Sequence, residues 1–281
     1  MSTFRRKQSY WVIVSLFTRR REDDDCADSV TIQETGGMKK GAVLVFARSP
    51  MLGQVKTRLA TYLGDHCALA LYRAFLTDTL LAAREAKATV LLAHTPGPHF
   101  PEQELTDIAF EQQGSSFGER FDAALAGAAN RLPHGAPIIL IGADTPHLSP
   151  DSLRQALNLL EGSKAVLGPC INRGFYLLGF STQPIQISEA FTYPSAKVTV
   201  ETARILLRAG VKPQLLAFSF DVDTPLDLFN LKVLLDIRET VGSKWIPTQT
   251  QRMLQDDERI ATSIRELRSK WLKTPMSFIP T

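Results

Sequence analysis

A basic, glycine-containing loop at residues 48–59 has the composition of a phosphate-binding segment. It combines Gly53 with the cations Arg48, Lys56 and Arg58. Phosphate groups are bound by backbone N–H donors together with Lys or Arg side chains, and a glycine lets the backbone approach the ligand. The loop is not a Walker A motif, because that motif needs a glycine and a lysine side by side. A solvated basic loop is the alternative interpretation.

Carboxylates in two later loops could bind a divalent ion. Asp144 stands directly after an apolar run and before Pro146, a common placement for a Mg²⁺ or Mn²⁺ ligand. Asp221 and Asp223 are two residues apart in a segment predicted to be extended. Their side chains would therefore point to the same side and could face one ion.

Each of these carboxylates also has a structural interpretation. Asp144 could be a turn or capping residue, and Asp223 could cap the helix that begins at Thr224. Asp227 is interpreted as a favourable charge in the first turn of that helix. His147 is interpreted as a polar loop residue rather than a metal ligand.

A fourth segment, residues 168–179, is rich in glycine and has the pattern of a strand, a turn and a second strand. Its glycines indicate either a close approach of the backbone to a ligand or a tight turn.

Short apolar runs alternate with helical patterns along the chain, which predicts a mostly parallel sheet covered on both faces. Ligands of such sheets collect at the carboxyl ends of the strands, and the three loops lie directly after predicted strands. Strands are predicted at 42–47, 89–93, 138–141, 165–167, 175–180 and 214–220. Helices are predicted at 66–87, at 117–131, from Ser149 as N-cap onward, at 198–209, at 224–238 and at about 252–272.

The composition argues against several classes of protein. A formal net charge of +3 over 281 residues gives no basic footprint for nucleic acid or a membrane surface. Cys26, Cys67 and Cys170 form no CxxC pair, so we expect plain thiols. The apolar run 10–17 is too short to cross a membrane and is followed by three arginines, which does not fit a secretory signal. These observations predict a cytoplasmic protein without a membrane span.

Three regions are predicted. Residues 1–39 carry charged blocks without a sustained period and are expected to form a loose extension, with Met38 as a possible alternative start. Residues 40–240 form the catalytic domain, and residues 241–281 form a C-terminal helical extension.

The motifs resemble, in order, those of a bacterial family of glycosyltransferase-A-type proteins, some of them linked to arsenosugar biosynthesis. The family is similar to the phospholactate guanylyltransferases and, more distantly, to the molybdenum-cofactor guanylyltransferases. The resemblance covers about residues 41–238. It rests on the segments 47–59, 71–78, 118–121, 141–146, 168–169, 174–179 and 221–225.

The resemblance implies a Rossmann-like glycosyltransferase-A fold, that of the nucleotide-diphospho-sugar transferases, with a nucleotide at the end of the first strand. It also implies Mg²⁺ or Mn²⁺ held by Asp144, Asp221 and Asp223. The residues assigned to the nucleotide are Arg48, Gly53, Lys56, Thr57, Arg58, Arg120 and Gly174. One departure is that Asn172 and Arg173 stand where the family usually has Asp-Gly, which could alter the donor or acceptor site or impair the protein.

The resulting hypothesis is a metal-dependent transferase in which Lys56, Arg58, Asp144 and Asp223 carry the reaction. Lys56 and Arg58 would hold phosphate oxygens, and Asp144 and Asp223 would hold the ion. Glycosyl transfer from a nucleoside-diphospho-sugar to an unknown small-molecule acceptor is the first hypothesis. Nucleotidyl transfer from GTP or CTP with release of pyrophosphate is an alternative, and a nucleotide-binding protein without turnover is another.

Overall fold

The computed structural model describes residues 41–171, 174–181, 183–193 and 197–273, with side chains described up to residue 266. The predicted N-terminal extension, Met38 and Cys26 lie outside the described residues. The strands are β1 (Ala42–Ala47), β2 (Thr89–His94), β3 (Ile108–Glu111), β4 (Ile138–Gly142), β5 (Ala165–Pro169), β6 (Phe175–Phe180) and β7 (Gln214–Leu215). The α-helices are α1 (Thr57–Leu63), α2 (Asp65–Glu85), α3 (Phe117–Ala129), α4 (Pro150–Leu159), α5 (Val198–Arg208), α6 (Pro225–Thr240), α7 (Thr248–Asp256) and α8 (Glu258–Lys273).

The described strands form one mixed sheet in the order β3-β2-β1-β4-β6-β5-β7. β1 pairs in parallel with both β2 and β4, β2 with β3, and β5 with β7. Only β6, among these strands, runs antiparallel to both of its neighbours. The predicted mostly parallel sheet is therefore confirmed.

Both faces of the sheet are buried, which explains why the central strands are continuous apolar runs. Successive side chains of β1 point to opposite faces. Val43 and Val45 belong to the cluster that includes residues of α2 and α4, and Ala42 and Leu44 belong to the cluster that includes residues of α3.

The direction of the strands fixes where the loops meet. The carboxyl ends of the parallel strands β1, β2, β4 and β5 lie at one edge of the sheet. Because β6 is reversed, it begins at that same edge, with Phe175 paired to Pro169 at the end of β5. Loops far apart in the sequence therefore border a common space.

Two parts of the sheet differ from the prediction. Of the predicted strand 214–220, only Gln214–Leu215 is a regular strand. The chain after it still runs beside β5, since the Ser219 N–H donates a hydrogen bond to the Pro169 carbonyl. β3 was not predicted, because this short edge strand alternates between half-buried and exposed residues and has no continuous apolar run.

Two helix breaks lie at residues that end or start a helix: a glycine with a positive φ and a capping aspartate. Gly64, with φ of 79°, separates α1 from α2, so the loop residues Thr57 and Arg58 lie in the first turn of a short helix. The predicted helix at about 252–272 is two helices, because the Asp257 carboxylate accepts hydrogen bonds from the N–H groups of Arg259 and Ile260 and starts α8.

The C-terminal helices pack on the rest of the described chain. Leu254 of α7 and Ile260 and Ile264 of α8 are buried in one apolar cluster with Leu59 of α1 and Phe75 of α2. Asp78 of α2 is 1% exposed. Its carboxylate accepts hydrogen bonds from the N–H groups of Gln249 and Thr250, at 3.1 and 2.7 Å, in the first turn of α7.

We expect the substitution Asp78→Ala to lower the free energy of unfolding by about 2 to 3 kcal/mol, because two N–H groups at the start of α7 would lose their acceptor. Urea unfolding monitored by circular dichroism measures this change. The control is Asp236→Ala, which removes an exposed ion pair with Lys232 and should cost about 0.5 kcal/mol or less. Equal effects of the two substitutions would contradict the role assigned to Asp78.

Candidate active site

A cleft of about 750 Å³ opens at the edge where the parallel strands end. One side of it, called the ionic side here, is lined by Arg48, Lys56, Arg58, Asp144, Asp221 and Asp223. The other, called the aromatic side, is lined by Phe46, Phe117, Phe121, Phe175 and Phe191. Thr57, Arg120 and Gly174 also line the cleft. The structure therefore brings together every residue predicted for the site except Gly53.

Lys56 lies at the centre of the ionic side. Its Nζ is 2.6 Å from Asp144 Oδ1 and 3.0 Å from Asp223 Oδ1, and it donates a hydrogen bond to the Val222 carbonyl at 2.7 Å. An ammonium group has three donors, so these three oxygens use all of them. In this arrangement Lys56 holds carboxylates, and its predicted contact with phosphate stays a prediction.

The Lys56 side chain is buried, with 3% of its surface exposed. Burial alone would lower its pKa, but the charges of Asp144 and Asp223 outweigh that effect and raise the pKa above its ordinary value. The residue is therefore a permanent cation near neutral pH. Its φ of 47° lies in the left-handed region, which is uncommon for a residue with a side chain and typical of backbone held by its surroundings.

The two carboxylates that hold Lys56 face the cleft. The side chains of Asp144 and Asp223 are 42% and 39% exposed, in contrast to the buried lysine beneath them. The Val222 N–H donates to the Asp144 carbonyl at 2.8 Å, which joins the two loops. Val222 itself is fully buried in the apolar cluster below the loop, so its neighbours Asp221 and Asp223 are directed toward the cleft.

Asp221 lies close enough to the other carboxylates to be affected by their charge. Burial, followed by the negative charge of Asp144, raises the pKa of Asp221 to about 7. Lys56 opposes this shift but does not cancel it. The ionic side therefore holds more negative charge than its buried cation neutralises.

Asp227 and Thr224 explain the local shape of this loop. Thr224 is the N-cap of α6, and its hydroxyl and N–H both donate to the Asp227 carboxylate. The Asp223 N–H also donates to Asp227. Asp227 lies in the first turn of α6, as predicted, and is in addition part of the helix cap. Asp223 is not the cap, because its side chain contacts Lys56.

The opening loop is held by a buried tyrosine. The hydroxyl of Tyr72 accepts a hydrogen bond from the Arg48 N–H and donates one to the Arg48 carbonyl, both at 2.9 Å. Arg48 and Arg58 have exposed side chains, and the guanidinium of Arg58 makes no hydrogen bond or ion pair within the described part of the chain. Gly53 has a φ of 72° and forms an exposed turn outside the cleft lining.

The aromatic side is a continuous set of rings. Phe117 and Phe191 have ring centroids 4.9 Å apart, and Phe121 lies 5.3 Å from Phe191 and 5.6 Å from Phe175. Half of the surface of Phe117 is exposed. The rings meet at angles of 51° to 79° rather than in one plane, so the half-exposed ring of Phe117 is the face that a ligand could stack on.

Arg120, on α3 between Phe117 and Phe121, brings a cation to the aromatic side. Its Nη1 makes one long hydrogen bond, 3.4 Å, to the Ser115 carbonyl. Its Nε is buried without a hydrogen-bond partner. Arg120 lines the cleft, so the accessible part of its guanidinium is available to a ligand.

The glycines of segment 168–179 make close approaches mainly to other parts of the protein. A Cβ at Gly168 would lie 2.6 Å from the Tyr176 ring, and one at Gly179 would lie 2.7 Å from Ile139. Gly174 has open space around it and lines the cleft. Asn172 and Arg173, where the chain departs from the family pattern, lie outside the described residues.

Among the residues that line the cleft, the five phenylalanines of the aromatic side, Tyr72 and Gln112 were not predicted as site residues. Tyr72 holds the opening loop, and the buried Gln112 donates hydrogen bonds to the carbonyls of Ala47 and Ala93, at 2.8 and 2.9 Å, at the ends of β1 and β2. Nothing in the local sequence marks Gln112. Tyr72 is a polar-tipped residue that follows the apolar residues 68–71 of α2, which is the one signal that could have indicated a buried partner.

His147 is a buried structural residue, in keeping with its interpretation as a non-ligand. Its ring stacks on Phe220 with centroids 4.4 Å apart, and its Nε2 is 2.8 Å from the Ser219 hydroxyl. Burial, with a smaller contribution from the charge of Arg238, lowers the pKa of His147 to about 3. The imidazole is therefore neutral in the folded protein.

The ionic side has the chemistry of a site for a hard divalent cation. Within residues 41–171, 174–181, 183–193 and 197–273, no three Asp, Glu, His or Cys side chains are grouped closely enough to hold a metal ion by themselves. Mg²⁺ is commonly bound by one or two carboxylates, with phosphate oxygens and water completing its shell. Asp144 and Asp223, half-exposed to the cleft, fit that type of site.

Comparison with known proteins supports the fold. Residues 75–193, less than half of the chain, match a family described as an uncharacterized protein conserved in bacteria, DUF2064. A candidate nucleotide-diphospho-sugar transferase of Desulfovibrio desulfuricans G20 has a similar structure, with a TM-score of 0.69 and 28% identity over 82% of this chain and 98% of that one. No curated protein matches the chain significantly.

A more remote likeness is to 2-C-methyl-D-erythritol 4-phosphate cytidylyltransferase from Thermus thermophilus. Its TM-score is 0.45, with 20% identity over 70% of this chain and 98% of that one, and a likeness this weak carries no functional information. The similarity to the Desulfovibrio protein confirms the predicted Rossmann-like, glycosyltransferase-A-type fold class. None of the described helices is long and apolar enough to cross a membrane.

The low pKa of His147 predicts a loss of stability in acid. In the unfolded chain a histidine takes up a proton near pH 6.5, whereas His147 in the folded protein does so only near pH 3. The unfolded state therefore binds more protons between these values, so the free energy of unfolding should fall as the pH is lowered from about 6.5 to 3.

Urea titrations across this range test the effect with His147→Gln, in which the amide can replace Nε2 toward Ser219 without titrating. We expect this variant to lose stability less steeply in acid than the wild type, and the exposed His134→Gln control to follow the wild type. Identical slopes for all three proteins would contradict the assignment.

Proposed function

We propose that this chain is a metal-dependent glycosyltransferase-type enzyme that uses a nucleoside-diphospho-sugar donor. The observation that carries this proposal is the convergence of Asp144, Asp223 and Lys56 at the carboxyl ends of the strands, in a fold shared with a candidate nucleotide-diphospho-sugar transferase. Ligands of open α/β sheets bind at this edge.

Each part of the ionic side has a proposed role. Asp144 and Asp223 hold Mg²⁺ or Mn²⁺, with Asp221 adding negative charge beside them. The bound ion supplies charge neutralisation on the donor phosphates and on the leaving group. Arg48 and Arg58 reach the outer phosphate oxygens from the opening loop, and Lys56 lies beneath as a buried cation.

No protein nucleophile is needed in this reaction. In a direct displacement the acceptor hydroxyl attacks the sugar carbon and gives its proton to a base, while the nucleoside diphosphate leaves. The ionic side would stabilise the negative charge that this leaving group takes up. The aromatic side provides a stacking surface, and Arg120 provides a cation for an anionic group of the bound molecules. Tyr72 positions the backbone of the opening loop, and Gln112 positions the ends of β1 and β2.

Nucleotidyl transfer from GTP or CTP is a second candidate, favoured by one specific observation. Arg48 and Arg58 both line the cleft with exposed side chains, and a triphosphate carries more charge for such cations to neutralise. The reaction products separate the two candidates. Glycosyl transfer releases a nucleoside diphosphate, whereas nucleotidyl transfer releases pyrophosphate.

A thermal-shift panel of nucleoside triphosphates and nucleoside-diphospho-sugars, each with and without Mg²⁺ or Mn²⁺, identifies the donor. A ligand at about 100 times its dissociation constant adds about 2.7 kcal/mol of stability, so a metal-dependent rise in melting temperature is expected with at least one donor. Incubation of that donor with candidate acceptors, followed by assays for pyrophosphate and nucleoside diphosphate, identifies the reaction. Binding without either product would favour a nucleotide-binding protein without turnover.

We expect Asp144→Asn to abolish the metal-dependent part of this stabilisation, because the neutral amide is a weaker ligand for a hard cation. The measurement is the shift in melting temperature with the donor in the presence of Mg²⁺, compared with the same sample containing a chelator. Asp151→Asn, an exposed aspartate of α4 outside the cleft, is the control and should retain the full shift. An unchanged shift in Asp144→Asn would remove the metal assignment.

A further inference from the structure

The buried ammonium of Lys56 lies so close to Asp144 and Asp223 that it must affect the affinity of these carboxylates for a divalent ion. It contacts one oxygen of Asp144, one oxygen of Asp223 and the Val222 carbonyl within 3.0 Å. A cation with three oxygen neighbours already satisfies much of the attraction that these oxygens would offer to a metal ion. The two carboxylates and the ammonium sum to a net charge of −1 rather than −2.

The position of this charge is fixed by the structure. The Lys56 side chain is 3% exposed, and its Nζ lies 5.8 Å from the centre of the Phe75 ring, a member of the fully buried core. The α1 helix begins directly after Lys56, and its Leu59 is fully buried. The ammonium therefore remains below the carboxylates when the cleft is filled with water.

We propose that Lys56 suppresses the binding of free divalent ions at Asp144 and Asp223. The site then takes up its ion as the complex with a nucleotide, whose phosphates bring the missing negative charge and oxygen ligands. The second step rests on the proposed function, whereas the suppression of free-ion binding does not. Lys56 would thus ensure that the divalent ion binds together with the nucleotide and not before it.

The test is a titration of the protein with Mn²⁺ alone, without any nucleotide, followed by electron paramagnetic resonance of the free ion. Lys56→Met keeps most of the volume of the side chain and removes the charge. We expect Lys56→Met to bind Mn²⁺ at least about tenfold more tightly than the wild type, because a unit charge near the site is removed. The melting temperature of Lys56→Met should also rise more on addition of Mn²⁺ than that of the wild type.

The control is Lys87→Met. Lys87 is the other non-glycine residue with a positive φ among the described residues, at 60°, and it is exposed after α2, outside the cleft lining. This variant should bind Mn²⁺ as the wild type does. If Lys56→Met does not fold, Lys56→Gln removes the same charge and keeps hydrogen-bond donors for the carboxylates, and the same tenfold gain is expected.

Equal or weaker Mn²⁺ binding by the Lys56 variant would overturn the proposal, and weaker binding would show that Lys56 instead positions the carboxylates for the ion. A separate titration with nucleotide at fixed Mn²⁺ tests the proposed function. A gain in Mn²⁺ affinity without any nucleotide binding would uphold the role of Lys56 and remove the proposed function. Nucleotide binding by the wild type, without a gain in Mn²⁺ affinity in the Lys56 variant, would support the proposed function and overturn the role of Lys56.

Discussion

The ion cluster of Lys56 with Asp144 and Asp223 sets the requirements for the rest of the site. A buried ammonium is costly unless oxygens surround it, and two carboxylates near each other are costly without a cation. Three segments must therefore be held in fixed positions: the opening loop, the loop after β4 and the segment before α6. The hydrogen bond between Val222 and Asp144 joins two of them, and the left-handed backbone at Lys56 directs the third.

The frame that meets these requirements is the sheet edge. Parallel strands bring β1 and β4 side by side with their carboxyl ends together, and reversed β6 returns the chain to that edge. Tyr72 and Gln112 fix the ends of the strands by hydrogen bonds to backbone atoms. The cleft at this edge is lined by charged residues and by a group of phenylalanine rings.

The sequence predicts the parts of this arrangement that depend on local pattern. Buried strands such as β1 and β4 are continuous apolar runs, and the N-cap Ser149 of α4 has a clear local signature. The partners of Lys56 could not be predicted, because its contact with Asp223 joins residues 167 positions apart and depends on how the strands pair. Edge strand β3 and the role of Gln112 were missed for the same reason, since packing rather than local composition decides them. The break at Asp257 is a local feature, a cap formed by its carboxylate, that the sequence analysis missed. The roles of the predicted site residues remain proposals.

Helix α2 has a consequence for protein engineering. Tyr72, near its middle, holds the opening loop, and Asp78, six residues or about 9 Å further along the helix, holds the start of α7. The apolar cluster beneath α7 and α8 includes Leu59 of α1, and α1 also carries Thr57 and Arg58 at the cleft. The C-terminal helices therefore cannot be removed without exposing apolar residues of α1 and α2. In a chimera that exchanged only these helices, the side chains packed against α1, next to the opening loop, would no longer match it.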